Sequence, residues 1–150
     1  MNAKEYMSQV RVLRENIGRM NEELARLRSG AMEVGSISMA KPLRRKDHSL
    51  TVMEDMTVTR VELEQALKEE TEYCQQVFAE IESTIHQLGQ YYWRYGFMLE
   101  NYYLWGFSFT MIAKWERLNV RTVYKHHSEA LVLIQRILDE REKKEGGDAA

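Results

Sequence analysis

The sequence predicts an all-α protein, and three features of the 150-residue chain support that prediction. It contains a single proline, and hydrophobic residues make up 44% of it, with Leu, Met, Ile and Val placed between charged residues. The third feature is helical spacing, because apolar residues recur every three or four positions along two long segments. Together these features favour helices and disfavour a turn-rich β architecture.

The first thirty residues contain an unbroken heptad pattern. A 3.5-residue repeat keeps one narrow stripe facing a partner helix, so this segment is predicted to form a coiled coil. The stripe consists of Tyr6, Val10, Leu13, Ile17, Met20, Leu24 and Leu27. The pattern leaves the charged side chains in water, namely Arg11, Arg14, Glu15, Arg19, Glu22, Glu23 and Arg26.

Residues 29–57 show no sustained period and are predicted to form a mobile linker. The segment contains two glycines, scattered Ser and Thr, and the only proline, Pro42. It also carries a basic cluster, which we interpret as part of a solvated loop and which comprises Lys41, Arg44, Arg45 and Lys46.

A second long helix is predicted to begin at a capping box formed by Thr59 and Glu62 and to end at Gly89, a residue suited to a left-handed helix stop. Seven Glu and one Lys between residues 61 and 90 make its surface acidic, which complements the Arg-rich first helix. An antiparallel coiled-coil hairpin over residues 1–90 fits this charge pattern, and so does pairing between two copies of the chain. The seam comprises Leu63, Leu67, Glu70, Cys74, Val77, Ile81, Ile85 and Leu88.

The last third is predicted to be a compact helical domain over residues 91–140. Eleven of the fifteen aromatic residues lie between residues 91 and 115, and we interpret them as its core. Gly106 suits a C-cap, and Ser108 and Asn119 suit N-caps. The predicted helices are 91–105, 109–118 and 120–140, followed by a tail, 141–150, that is expected to fray.

Residues 112–125 have the pattern of a helix-turn-helix. Ala113 is small enough for two helices to cross closely, and Ile112 and Leu118 anchor the turn from inside. A buried stripe continues along the second helix at Val123, Ala130, Leu131 and Ile134. The outward face then presents Arg121, Thr122, Lys125 and Ser128, and a helix with such a face fits the DNA major groove.

Residues 102–134 resemble the sigma factor region-four helix-turn-helix of small phage and prophage proteins of Gram-positive bacteria, including RinA-like late-transcription activators. Residues 1–13 are also similar to the start of that group. The resemblance implies a DNA-binding regulator of phage genes that works beside host RNA polymerase. It is carried by Leu104 and Gly106, by Ile112 and Ala113, and by Arg121, Thr122, Val123 and Tyr124 followed by His127, Ala130 and Leu131.

Three positions depart from the pattern of that family. Glu116 replaces an apolar residue, Arg117 replaces a turn glycine, and His126 replaces Leu. We expect Trp115 to supply the anchor that Glu116 does not. We also expect Arg117 to avoid a positive φ angle, since a turn without glycine is tolerated on that condition.

The predicted DNA contacts follow from this motif. We expect base and groove contacts from Arg121, Thr122 and Lys125, and phosphate contacts from Ser108, Lys114, Arg117, Asn119 and Tyr124. Five basic and two acidic residues give the segment 102–136 a local charge of +3, against −2 for the chain. Because this charge is modest, tight binding is expected from a homo-oligomer joined by the N-terminal helices, with half-sites about 34 Å apart.

Two further functions fit the same features. A DNA-packaging subunit of the small-terminase type also combines a helix-turn-helix with an oligomerising helical segment. A protein–protein module would instead dock its helix-turn-helix on RNA polymerase or a repressor without reading DNA.

The sequence predicts neither an enzyme nor a metal site nor a membrane span. The sequence has no glycine-rich phosphate loop, nucleophile elbow or HExxH motif, so no enzyme and no cofactor are expected. No metal site is expected, because His126 and His127 point about 100° apart on a helix and Cys74 and His86 lie in another segment. One of the two histidines, His126 or His127, is expected to pack inward, and His127 is expected to donate to a backbone carbonyl or a phosphate. The single cysteine, the lack of an apolar signal core and the charged residues within 95–113 indicate a protein of the bacterial cytoplasm with no membrane span.

Overall fold

The computed structural model describes the backbone of residues 1–32 and 49–149 and the side chains of residues 1–30 and 59–147. Within these residues there is no β-strand, which confirms the all-α prediction. No helix in this part of the chain has an apolar stretch long enough to cross a membrane. The elements are α1 (Ala3–Met32), α2 (Ser49–Gly89), α3 (Trp93–Leu99), a π-helical segment (Glu100–Leu104), α4 (Phe109–Glu116) and α5 (Val120–Ala149).

The chain divides into two compact units. The C-terminal unit combines Met1–Val12 with Cys74–Ala150, and the other unit is Leu13–Tyr73. The predicted division at residue 90 therefore falls inside the C-terminal unit, because α1 and α2 both contribute buried side chains to it.

The core of the C-terminal unit is built from apolar residues of all its helices. α2 contributes part of the predicted seam, which is buried from Cys74 to Leu88. On α1, Tyr6 and Val10 are buried as predicted, and Ala3 and Met7 are buried as well. The apolar face of α1 is thus wider at its N-terminal end than the heptad stripe. The remaining core residues are Met98, Leu99, Tyr103, Leu104, Phe109, Ile112, Ala113, Val123, Ala130 and Ile134.

Thr84 is a fully buried polar residue that links three helices. Its hydroxyl donates to the carbonyl of Glu80 at 3.1 Å and accepts from Arg141 Nη1 at 2.8 Å. The Tyr6 hydroxyl lies 2.8 Å from the Thr84 hydroxyl and donates to Glu80 Oε1 at 3.4 Å. Arg141 also donates to Gln87 at 3.2 Å. These contacts hold the C-terminal part of α5, which continues to Ala149 where a frayed tail was predicted.

Arg11 contacts the π-helical segment, although the heptad pattern predicted it in water. Its guanidinium lies over the ring of Tyr102, 4.6 Å from the centroid, and donates to the Tyr102 carbonyl at 3.1 Å. The contact satisfies a carbonyl near the end of the helical segment and adds a cation–π interaction.

Two glycines set the crossing of α2 and α3. A Cβ atom on Gly96 would lie 3.0 Å from the Cα of Gly89. α2 ends at Gly89 as predicted, but the expected left-handed conformation is wrong, because among the described glycines only Gly106 has a positive φ, of 77°. Gly89 is required for close approach, and Gly106 has the backbone expected of a C-cap.

Several predicted helix ends differ in the structure. α2 begins at Ser49, so Thr59 lies inside the helix and the predicted capping box is wrong. Leu50, Met53 and Glu54 favour helix, which explains why α2 extends into the predicted linker. The rest of that linker, including the basic cluster at Lys41, Arg44, Arg45 and Lys46, lies outside the described residues. The predicted helix 91–105 is instead α3 followed by the π-helical segment.

In the unit Leu13–Tyr73, the heptad positions of both helices are protected from solvent. Leu13 and Leu24 are buried, and the others are half-buried, namely Ile17, Met20, Leu27, Leu63, Leu67 and Glu70. Arg28 Nη2 lies 3.3 Å from Glu64 Oε1, an exposed ion pair of the kind that adds little stability.

Candidate nucleic-acid interface

α4 and α5 are joined by a three-residue turn, Arg117 to Asn119. Both predicted N-caps are present. Ser108 Oγ accepts from the Met111 N–H at 3.2 Å at the start of α4, and Asn119 Oδ1 accepts from the Arg121 N–H at 3.0 Å at the start of α5. These bonds satisfy amide groups that would otherwise lack partners and define where each helix begins.

Arg117 has a left-handed backbone, with φ 57° and ψ 41°, so the expectation that it avoids a positive φ is wrong. The reason is the way α4 ends. The N–H groups of Arg117 and Leu118 donate to the carbonyls of Lys114 and Ala113, at 3.3 and 2.9 Å. This pair of bonds is the Schellman motif, which requires a left-handed residue at the first position after the helix and usually has glycine there.

The inner side of this helix pair is apolar. Ile112 and Ala113 of α4 are buried, and so is Val123 of α5, against which α4 packs. The buried stripe continues at Ala130 and Ile134 as predicted. Leu118 and Leu131 are half-buried.

The outer side presents most of the predicted DNA contacts. Arg121 and Lys125 are exposed one turn apart on α5, and among the described residues neither side chain has an ion pair or hydrogen bond. Lys114 and Arg117 are also exposed. Thr122 is half-buried, so its side chain is less accessible than those of Arg121 and Lys125.

Tyr124 and Ser128 lie further along the same helix. Tyr124 is exposed, and its ring packs edge-on against Phe109 with centroids 4.9 Å apart. Ser128 is exposed and donates to the Tyr124 carbonyl at 3.3 Å. All eight predicted contact residues therefore belong to α4, the turn and the first two turns of α5, or cap their ends.

No family model, curated protein or solved structure matches the chain.

His127 lies inward, as predicted for one of the two histidines, but its hydrogen-bond partner is the Tyr103 side chain and not the predicted backbone carbonyl or a phosphate. Its Nε2 shares a hydrogen bond with the Tyr103 hydroxyl, and its ring contacts Tyr102 and Phe109. Burial lowers the pKa of His127, and the nearby Lys4 lowers it further. Burial also raises the pKa of Tyr103 to about 12. The spacing of His127 from Val123 and Ala130, four and three residues, is the sequence signal that places it on the inner stripe.

Glu116, at the end of α4, is half-buried, and its Oε1 has no hydrogen-bond partner in the described part of the structure. Burial raises the pKa of this carboxyl, while Arg94 and His126 act in the opposite direction. Trp115 does not replace the missing apolar anchor, because it is 47% exposed and packs edge-on against Phe107.

The aromatic residues between 91 and 115 are mostly on the surface. Only Tyr103 and Phe109 of the eleven are buried. The prediction that they form the core is wrong for the seven exposed ones, because aliphatic side chains such as Leu99, Leu104 and Ile112 fill it instead. Tyr95 and Tyr102 are half-buried. The exposed ones are Tyr91, Tyr92, Trp93, Phe97, Trp105, Phe107 and Trp115.

Proposed function

We propose that this chain is a DNA-binding transcriptional regulator of a phage or prophage and that α5 is its recognition helix. The observation that carries the proposal is the pair Arg121 and Lys125, exposed one turn apart on a helix that is packed on α4 by its other face. Arg and Lys side chains on such a face reach guanine edges in the major groove. In this arrangement Thr122, being half-buried, contacts the groove wall beside them.

The turn between the helices supports the same proposal. The left-handed backbone of Arg117 suits the glycine that the region-four family has at this position. Ser108 and Asn119 accept backbone bonds through their oxygens, so the Ser108 hydroxyl proton and the Asn119 amide remain able to donate to phosphates. Lys114, Arg117 and Tyr124 are exposed around them and would contact the backbone as well.

The N-terminal helices would join two copies. Half-buried Ile17, Met20 and Leu27 leave part of the α1 seam accessible to a second chain. Contacts between α1 and α2, Tyr6 with Thr84 in one unit and Arg28 with Glu64 in the other, also fit a hairpin within one chain. In the proposed function an oligomer of such hairpins holds two recognition helices on DNA in the host cytoplasm, beside RNA polymerase.

The test is binding of the full chain to labelled double-stranded fragments of neighbouring intergenic DNA, measured by fluorescence anisotropy across a salt series. The double variant Arg121→Ala/Lys125→Ala is expected to lose at least about tenfold in affinity for the preferred fragment, because base contacts of this type contribute about 1–3 kcal/mol each. The matched control is Lys143→Ala/Lys144→Ala, which removes two exposed charges from the same helix outside the proposed face.

Equal losses in the two double variants would show that only net charge matters and would contradict base reading by α5. Weak binding without preference for any fragment, unchanged in either variant, would favour a protein partner for this helix pair. A ring-shaped oligomer that binds DNA would favour the packaging function.

A further inference from the structure

Three side chains of metal-ligand type lie together where α2 meets the start of the π-helical segment. They are Glu82, His86 and Glu100, and their ligand atoms all lie within 4.8 Å of one another. Glu82 and Glu100 are half-buried, and His86 is exposed. None of them belongs to the proposed DNA-binding face.

The fold brings these residues together from distant parts of the sequence. Glu82 and His86 are four residues apart, so they project from the same face of α2. The chain then turns after Gly89, and the close contact of Gly96 with Gly89 holds α3 against the end of α2. Glu100 follows one turn after Gly96 and thereby reaches the face that carries Glu82 and His86.

The backbone at Glu100 is unusual. The π-helical segment begins at this residue, and the Trp105 N–H donates to the Glu100 carbonyl at 3.1 Å, five residues back. Such π-helical turns occur frequently at functional sites. The segment is also tied to α1 through Arg11, so the position of Glu100 is supported from two sides.

The cluster has uncompensated negative charge. Among the described residues, no hydrogen bond or ion pair involves the Glu82, His86 or Glu100 side chains. Two carboxylates this close repel each other, and a divalent cation between them would convert that repulsion into attraction.

We propose that Glu82, His86 and Glu100 bind a divalent transition-metal ion of the Zn²⁺ type. One imidazole and two carboxylates suit such an ion, whereas Mg²⁺ and Ca²⁺ prefer oxygen ligands alone. With bonds of about 2.0–2.2 Å, three ligand atoms around zinc lie about 3.5 Å apart, so the side chains need to approach by little more than 1 Å. Water completes the coordination on the exposed side, and the bound ion ties α2 to the π-helical segment.

The test is titration of the metal-free 150-residue chain with Zn²⁺ by calorimetry, followed by Co²⁺ substitution and its visible absorption spectrum. One ion per chain is expected. Glu100→Gln and His86→Gln are each expected to weaken Zn²⁺ binding at least tenfold and to change the Co²⁺ spectrum. The matched control is Glu72→Gln, an exposed α2 position with the same loss of charge, which is expected to bind like the wild type.

Thermal unfolding gives a second measurement. Zn²⁺ is expected to raise the unfolding temperature of the wild type and of Glu72→Gln, but not of the two cluster variants, because only an ion bound to the folded state stabilises it. Circular dichroism shows whether Glu100→Gln alters the helices. If it does, His86→Gln provides the test, because His86 is exposed and its substitution leaves the core unchanged. Equal Zn²⁺ affinity in wild type and His86→Gln, or tighter binding of Mg²⁺ than of Zn²⁺, would overturn the proposal.

Discussion

Arg117 stands in a conformation that a side chain makes unfavourable. A left-handed residue other than glycine costs about 1–2 kcal/mol, and the two backbone bonds that end α4 hold Arg117 there. Arg117→Gly removes this cost but makes the unfolded chain more flexible, which offsets part of the gain. We expect a net increase of about 0.5–1 kcal/mol in the free energy of unfolding, measured by urea denaturation.

The control for this prediction is Arg136→Gly, the same chemical change at an exposed position within α5. Glycine inside a helix costs about 1 kcal/mol relative to good helix formers, so this variant is expected to be less stable than the wild type. A similar loss in both variants would show that the conformation of Arg117 carries no strain.

His127 makes the stability of the C-terminal unit depend on pH. Its pKa is lowered in the folded protein, so the unfolded chain binds a proton more readily as the pH falls through about 6.5. The contribution of neutral His127 to the free energy of unfolding is therefore present above that pH and is lost below it. We expect the urea midpoint of the wild type to fall between pH 7.5 and 5.5.

The comparison for this prediction is His127→Gln, which has no titrating group at this position. Its midpoint is expected to be lower at pH 7.5, because Gln packs less well among Tyr102, Tyr103 and Phe109, but to change less over the same pH range. If the urea midpoints of the two proteins fell by the same amount between pH 7.5 and 5.5, a role of His127 in the pH dependence would be contradicted.

At the level of the elements, the contact between α2 and α3 depends on the absence of a side chain at Gly96. A methyl group there would meet the Gly89 backbone at 3.0 Å, and backbone cannot move aside as a flexible side chain can. Overpacking of this kind costs about 1–3 kcal/mol, which exceeds the gain of about 1 kcal/mol in helix propensity. Gly96→Ala is therefore expected to lower the free energy of unfolding.

Gly18 offers a matched substitution, because a Cβ atom there meets nothing within 4 Å. Gly18→Ala in the middle of α1 is expected to stabilise the protein by about 0.5–1 kcal/mol through helix propensity alone. If both alanine variants gained stability in thermal unfolding, the close approach of the two glycines would not be limiting.

The elements were predictable where a repeated pattern specifies them. Periodicity located the long helices, and the cap residues Ser108 and Asn119 marked helix starts because their bonds are local. The start of α2 was not predictable from Thr59. A capping box indicates only that a helix can begin there, and the residues that precede it can extend the helix. The π-helical segment has no sequence signal of this kind, and the meeting of Glu100 with His86 depends on it.

On the scale of the whole molecule, the C-terminal unit depends on the first turns of α1. Met7 is fully buried in the same unit as α4 and α5, although more than a hundred residues separate them. Truncating a buried methionine costs about 2–5 kcal/mol, a large part of the stability of a typical domain. Met7→Ala is expected to destabilise this unit and to accelerate amide hydrogen exchange in α4 and α5.

Val12→Ala is the control, because Val12 belongs to the same helix and the same unit but is 52% exposed. Its effect on amide exchange in α4 and α5 is expected to be small. If Met7→Ala changed exchange only within α1, the C-terminal unit would be independent of the N-terminal residues.

The composition of this unit could not be predicted from sequence patterns. The heptad pattern predicted that Tyr6 and Val10 pack against a partner helix in a coiled coil. The local sequence does not distinguish such a helix from the core of a packed domain. The candidate DNA-binding residues were more predictable, because their placement follows from the helical period of α5 and from a short turn. Long-range packing decided the rest, including the exposure of most of the aromatic residues between 91 and 115.

The hydrogen bond from the Ala3 N–H to Gln135 Oε1, at 2.7 Å, joins residues 132 positions apart. At a ribosomal rate of about 5–20 residues per second, the partner of Ala3 is synthesised roughly ten seconds after it. During that interval Met7 and Val10 have no completed core to enter and remain available to chaperones or to a neighbouring nascent chain. The C-terminal unit therefore assembles only after α5 has left the ribosome.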